Sequence, residues 1–135
     1  MSLNLSSLQS ALKSLDEAFI EYEKMPESTL MRDGIIQRFE YSFELCWKML
    51  QRELRQEVGE ELVDTAKNYS KKDLFRLAWE RKLILHSQTW FDYLEARNLT
   101  SHSYNEAKAE LVFNAIKPFL NDATYLLAQL EERNA

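Results

Sequence analysis

The side chains best suited to chemistry in this sequence crowd into EARNLTSHSYNEAK, residues 95–108. Arg97 stands five places before His102, and Tyr104 follows two places later, with Asn98, Thr100, Ser101 and Ser103 in the gaps. An arginine presents a planar fork of donors that matches the oxygens of a phosphate. A histidine takes up and returns a proton near neutral pH. Metal-free cleavage of a phosphodiester needs little more than these two. One serves as base for the ribose 2′-OH, and the other sets positive charge against the crowded phosphate.

Whether the two converge depends on the backbone. In one unbroken helix Arg97 and His102 would stand about 140° apart around the axis, too far to meet. Asn98, Thr100, Ser101, Ser103 and Asn105 all compete for backbone hydrogen bonds and favour caps over helix interiors. The pattern therefore predicts a helix that stops near Asn98 and a second that starts near Ser103, with Glu106 completing a capping box. Such a turn lets Arg97 swing back towards His102 and leaves free N–H groups at a helix N-terminus, a setting that suits a phosphate. A plainer reading fits the same residues: a helix–helix turn with Arg97 on a carboxylate and His102 as a cap.

Other chemistry finds little support. No Cys or His pair has metal-ligand spacing, and neither His86 nor His102 has a glutamate three residues before it, so neither a zinc nor a di-iron site is expected. No Gly-rich phosphate loop or nucleophile elbow is present, and no cofactor is expected. Glu40 and Glu44 lie one turn apart, but Glu44 also precedes Lys48 at the favourable helical spacing, so surface pairing is the simpler reading. His86 is expected at a helix boundary and Cys46 in the core.

The elements that would position Arg97 and His102 are helices. The chain has 135 residues, 45% of them hydrophobic, with only two glycines and two prolines. That is enough for one domain, 1–135, with a real core, and too few turn formers for an all-β fold. Leu5, Leu8, Leu12, Leu15, Phe19 and Tyr22 make the apolar stripe of a first helix, opened by a Ser6/Gln9 capping box and closed before Pro26. Ile35, Phe39, Phe43, Cys46, Trp47, Leu50 and Leu54 line one side of a second helix that Gly59 stops. Ser70 and Asp73 cap a shorter third helix whose apolar residues are Leu74, Phe75, Ala78 and Trp79. KLILHS is a break, and a fourth helix carries Trp90, Leu94 and Arg97. A last helix runs from near Ser103 to Leu130, with Pro118 expected to kink or split it. The expected fold is all-α: an antiparallel, four-helix-type bundle with an extra short helix. Its aromatic-rich faces exceed the needs of one core, so a partner is expected, most simply a second copy.

The net charge of −5 argues against non-specific DNA binding, which depends on neutralising phosphates. Lys67, Lys71, Lys72, Arg76, Arg81 and Lys82 nevertheless crowd one region, as a solvated helix surface or as a local basic face. A lone cysteine, an N-terminus without signal-peptide features and the lack of a long apolar run point to a cytoplasmic protein outside the membrane.

Arg97-x-x-x-x-His102-x-Tyr104 resembles the R-x4-H-x-Y motif of HEPN-domain proteins, with Asn98 as the polar residue that often follows the arginine. DGIIQRFEYSFELCWKML resembles the family's second helix and RNLTSHSYNE its motif region. The likeness covers roughly residues 30 to 116 and is specific to the HepT-like branch, also described as nucleotidyltransferase substrate-binding proteins. One departure is Lys82, where the family carries glycine. The resemblance implies a homodimer in which both copies of the motif meet in one cleft. It implies a metal-independent endoribonuclease acting as a toxin, with a minimal nucleotidyltransferase as partner and antitoxin. In that scheme Arg97 holds the scissile phosphate of the RNA and His102 handles the proton. Asn98 and Ser101 orient them, and Tyr104 receives nucleotide from the partner. The alternatives are a non-catalytic accessory subunit of a two-component nucleotidyltransferase and a purely structural dimer.

Overall fold

The computed structural model describes residues 2–61, 63, 70–101 and 105–135. They form five helices, α1 (Ser6–Lys24), α2 (Thr29–Val58), α3 (Lys71–Glu80), α4 (Ser87–Leu99) and α5 (Glu106–Arg133), and no strand among the described residues. The central helix is α2, which touches each of the other four. α1 runs antiparallel to α5: Gln9 reaches Glu131 at one end, and Phe19 and Tyr22 meet Phe113 at the other. α2 and α5 run the same way, joined by Arg32 with Glu106 at their starts and by Glu53 with Asn134 at their ends. The four long helices thus make the expected bundle, with α3 as the short addition.

A cluster of aromatic rings stands among the aliphatic residues of the core. Phe39, Phe43, Phe75, Trp90 and Phe119 are fully buried, with ring centroids 5.0 Å apart for Phe39–Phe119 and 5.7 Å for Trp90–Phe119. Each buries area worth about 2–3 kcal/mol, and Trp90 thereby pins α4 against α2 and α5. Cys46 is buried as expected, and desolvation pushes its thiol pKa well up. Trp79 departs from expectation and is 52% exposed. It stands about 140° from Leu74 around α3, at the margin of the stripe made by Leu74, Phe75 and Ala78.

The helix ends follow the sequence signals in part. α3 has the full Ser70/Asp73 capping box, and α2 stops at Gly59, whose φ is 94°. α1 does not use the Ser6/Gln9 box: Asn4 Oδ1 accepts from the Ser6 backbone N–H and hydroxyl, and Gln9 turns to Glu131. Pro118 does not split α5, which runs unbroken through it; its ring lies on the exposed side of the helix. At the far end from the motif, Glu57 accepts from Arg81 (2.7 Å) and Arg133 (3.0 Å). Burial works against the charge on Glu57, but hydrogen bonds from Glu53, Arg81 and Arg133 outweigh it and hold the carboxyl at about 2. The neighbouring Glu53 is pushed up, first by burial and then by the Glu57 carboxyl beside it.

Candidate functional site

α4 points three buried residues, Trp90, Tyr93 and Ala96, into the bundle. Arg97 lies seven residues after Trp90 and four after Tyr93, on that same inward face. Its side chain is only 26% exposed. Nε is buried without a hydrogen bond among the described residues and lies 3.7 Å from Glu44 Oε1 on α2. Nη1 donates to Ser101 Oγ (3.2 Å) and Thr100 Oγ1 (3.4 Å), and the Thr100 hydroxyl donates back to the Arg97 carbonyl (2.7 Å). The last turn tightens, with Thr100 N–H on the Arg97 carbonyl and Ser101 N–H on the Asn98 carbonyl. The hydroxyl-rich sequence therefore ends α4 one residue beyond Asn98 and folds its own side chains back onto the guanidinium.

Glu44 is the first residue that spacing misplaced. Its ion pair is with Arg97 rather than with Lys48. Helical periodicity sees only neighbours on one helix, whereas this contact joins two. Asp33, Gln37 and Glu40 also line a recess of about 220 Å3 that Thr100 closes, so α2 turns an acidic edge towards the motif.

Beyond the turn, α5 begins at Glu106, later than the Ser103 start expected, and its cap is Asn105, whose Oδ1 accepts from Lys108 N–H at 2.9 Å. Glu106 is not spent on a capping box. It pairs with Arg32, whose Nη1 and Nη2 both reach its carboxylate, and Glu110 takes a further bond at 3.1 Å. The guanidinium holds the Glu106 carboxyl below its usual range. Arg32 is itself buried. Glu106 and Glu110 are themselves largely exposed, so the carboxylates satisfy the buried guanidinium from its solvent side and tie the start of α5 to α2. A signal for Arg32 was present: it continues the stripe of Ile35, Ile36 and Phe39 by one turn, a charge where the pattern calls for an apolar residue.

Of the expected site residues, Arg97 and Ser101 are brought into contact. Asn98 is placed on the exposed side of α4, lining a second recess with Lys72, Arg76 and Phe91. His102, Ser103 and Tyr104 lie outside the described residues. Among the described residues no cluster of His, Cys, Asp and Glu could hold a metal ion, and no helix is long and apolar enough to cross a membrane. The arrangement offers a braced guanidinium with donors directed at the turn. Its neutral hydroxyl partners are weaker acceptors than a phosphate.

Comparison with known proteins agrees with this architecture. A protein of Haemophilus influenzae named "Probable ribonuclease HepT" is 36% identical, the match covering 98% of this chain and 94% of that protein. A solved Haemophilus influenzae structure, titled as the fold of a substrate binding domain of a nucleotidyltransferase, superposes with a TM-score of 0.83 at 32% identity, over 95% of this chain and 99% of that one. A crystal structure from Thermus thermophilus gives a TM-score of 0.74 at 34% identity, over 91% and 98% of the two chains. A family model, "Nucleotidyltransferase substrate binding protein like", matches residues 3–132, and this chain belongs to that family.

Proposed function

We propose that this chain is a HepT-like toxin, a metal-independent endoribonuclease whose partner and antitoxin is a minimal nucleotidyltransferase. The observation that carries the reading is the bracing of Arg97: Glu44 lies behind it and Ser101 draws it towards the turn that continues into His102. In the reaction His102 takes the proton of a ribose 2′-OH while that oxygen attacks phosphorus. The bond to the 5′ oxygen breaks, and that oxygen leaves with a proton from an acid. The products are a 2′,3′-cyclic phosphate and a free 5′-OH. Arg97 holds the non-bridging oxygens, Ser101 orients Arg97, and Asn98 supports the strand beside it. Base and acid are both needed, and one protomer offers one His102. A homodimer that brings two motifs into one cleft supplies both. The nucleotidyltransferase silences the site by transferring AMP from ATP to the Tyr104 oxygen, with pyrophosphate leaving.

A non-catalytic accessory subunit that presents substrate to a nucleotidyltransferase is the second reading. The net charge of −5 and the carboxylates of Asp33, Glu40 and Glu44 around the motif favour it. Expression without the partner separates the two. The ribonuclease reading expects growth arrest and RNA cleavage by the wild type, with each falling about 100-fold or more in Arg97→Ala and in His102→Ala. A harmless wild type that leaves RNA intact selects the accessory subunit.

A further inference from the structure

The recess of about 470 Å3 between α3 and α4 shares only Asn98 with the chemistry above. Two cations sit over one ring in its wall: Lys72 Nζ lies 5.5 Å and the Arg76 guanidinium 5.1 Å from the centre of Phe91. A ring beneath a guanidinium supports it and leaves its edge donors for an acceptor in solvent. Arg76 is further steadied by Asp73 at 3.0 Å and remains 56% exposed. Gln88, Phe91, Glu95 and Asn98 lie on one face of α4, so the recess begins about two and a half turns before Arg97 and ends at the residue next to it. Its amides offer both donors and acceptors. The carboxylates of Asp92 and Glu95 also line it, which suits a ligand carrying N–H groups as well as a phosphate.

We infer that this recess is a subsite for a nucleotide of single-stranded RNA flanking the scissile phosphate, with Lys72 and Arg76 holding its phosphate and the amides of Gln88 and Asn98 meeting its base. The identity of the ligand rests on the ribonuclease reading. Cations interleaved with an aromatic face are the usual means of following a flexible strand, and their contribution is salt-dependent. Asp92 and Glu95 offset the charge of Lys72 and Arg76 in the recess, so the two cations serve as directed phosphate contacts rather than as a broad positive field.

The test uses the full chain without its nucleotidyltransferase, comparing the intact recess with Lys72→Ala/Arg76→Ala and with Lys13→Ala/Lys24→Ala on α1 as control. In the binding arm all carry His102→Ala, so that the strand survives. Fluorescence anisotropy with a labelled RNA of about 12 nucleotides gives the affinity over a salt series. The recess variant is expected to bind about tenfold more weakly, with its log–log salt slope flattened by about 1.4, while the control is unchanged. In the cleavage arm His102 is kept; KM should rise with kcat retained on the same RNA, and a dinucleotide spanning only the scissile phosphate should be cut as before. Affinity and slope equal to those of the intact recess overturn the subsite, even if the protein cuts RNA. Binding without cutting by the wild type removes the ribonuclease reading, and a loss of binding in the variant then still supports the subsite. No RNA binding by the protein with the intact recess, together with no cutting by the wild type, overturns both. Unchanged thermal melting of the variant excludes misfolding as the cause.

Discussion

A guanidinium serves a phosphate only if it is held in place without having all its donors consumed. Arg97 meets that condition among the described residues: Glu44 approaches Nε from α2 at 3.7 Å, and the Nη1 bonds there go to the neutral hydroxyls of Thr100 and Ser101. Those are bonds a phosphate can replace, because an anionic oxygen is a stronger acceptor than a hydroxyl and a phosphate matches the fork of the guanidinium. The same logic explains how an AMP group on Tyr104 would act. It would set a negative charge beside Arg97 and fill the place of the RNA phosphate, with no change of fold required. Incubation with the partner, ATP and magnesium should add an adenylate-sized mass, or several, to the intact protein and none to Tyr104→Phe. The same increment persisting in Tyr104→Phe, or no increment with an active partner, removes Tyr104 from the scheme.

Among the elements, the end of α3 carries a visible local cost. Lys82 has φ 64°, the one positive value among described residues other than glycine. Its N–H bonds the Trp79 carbonyl, and that of Leu83 bonds the Ala78 carbonyl, the paired pattern of a Schellman stop. The position after the C-cap residue, here Lys82 after Arg81, favours glycine in that motif, because a Cβ is crowded in the left-handed region. Glycine is thus the residue the backbone geometry prefers at 82, and the buried Leu83 and Ile84 beyond it hold the turn with lysine in place. Lys82→Gly should stabilise the fold by about 1 kcal/mol, raising Tm by about 3–5 °C in differential scanning calorimetry. An unchanged or lower Tm would mean that the lysine side chain contributes more to the fold than its backbone strain costs.

For the whole molecule, the open question is what covers its remaining apolar surface. Leu30 and Leu111 are 83% and 62% exposed. Leu30 stands two positions before Arg32 and Leu111 one after Glu110, and Arg32 and Glu110 join α2 to α5. A second copy seated there would bury both leucines and bring two motifs together. Light scattering at micromolar concentration should give the mass of two chains. Leu30→Glu/Leu111→Glu should return the mass of one and abolish RNA cleavage while leaving Arg97 untouched. A wild type that is monomeric, or a monomeric variant with full cleavage, refutes the composite site.

The sequence by itself determined the helices and their inward faces, because apolar periodicity is a local property that burial enforces. Leu8 through Phe19 and Ile35 through Leu54 lie where their spacing put them. It also determined the break after Asn98, since serine, threonine and asparagine side chains compete with the helix they end. The R-x4-H-x-Y spacing marked the candidate site for the same reason: those residues are near one another in the chain. Tertiary structure alone decided the partners of the charges. Glu44 turned from Lys48 to Arg97, and Glu106 from a cap to Arg32. Gln9 likewise left its helix end for Glu131. A charged side chain finds its lowest energy in whichever opposite charge or donor the packing of other helices brings near, and no local pattern carries that information. The recess at Phe91 arose the same way, from two helices separated by a turn whose cations and ring meet only once the bundle has formed.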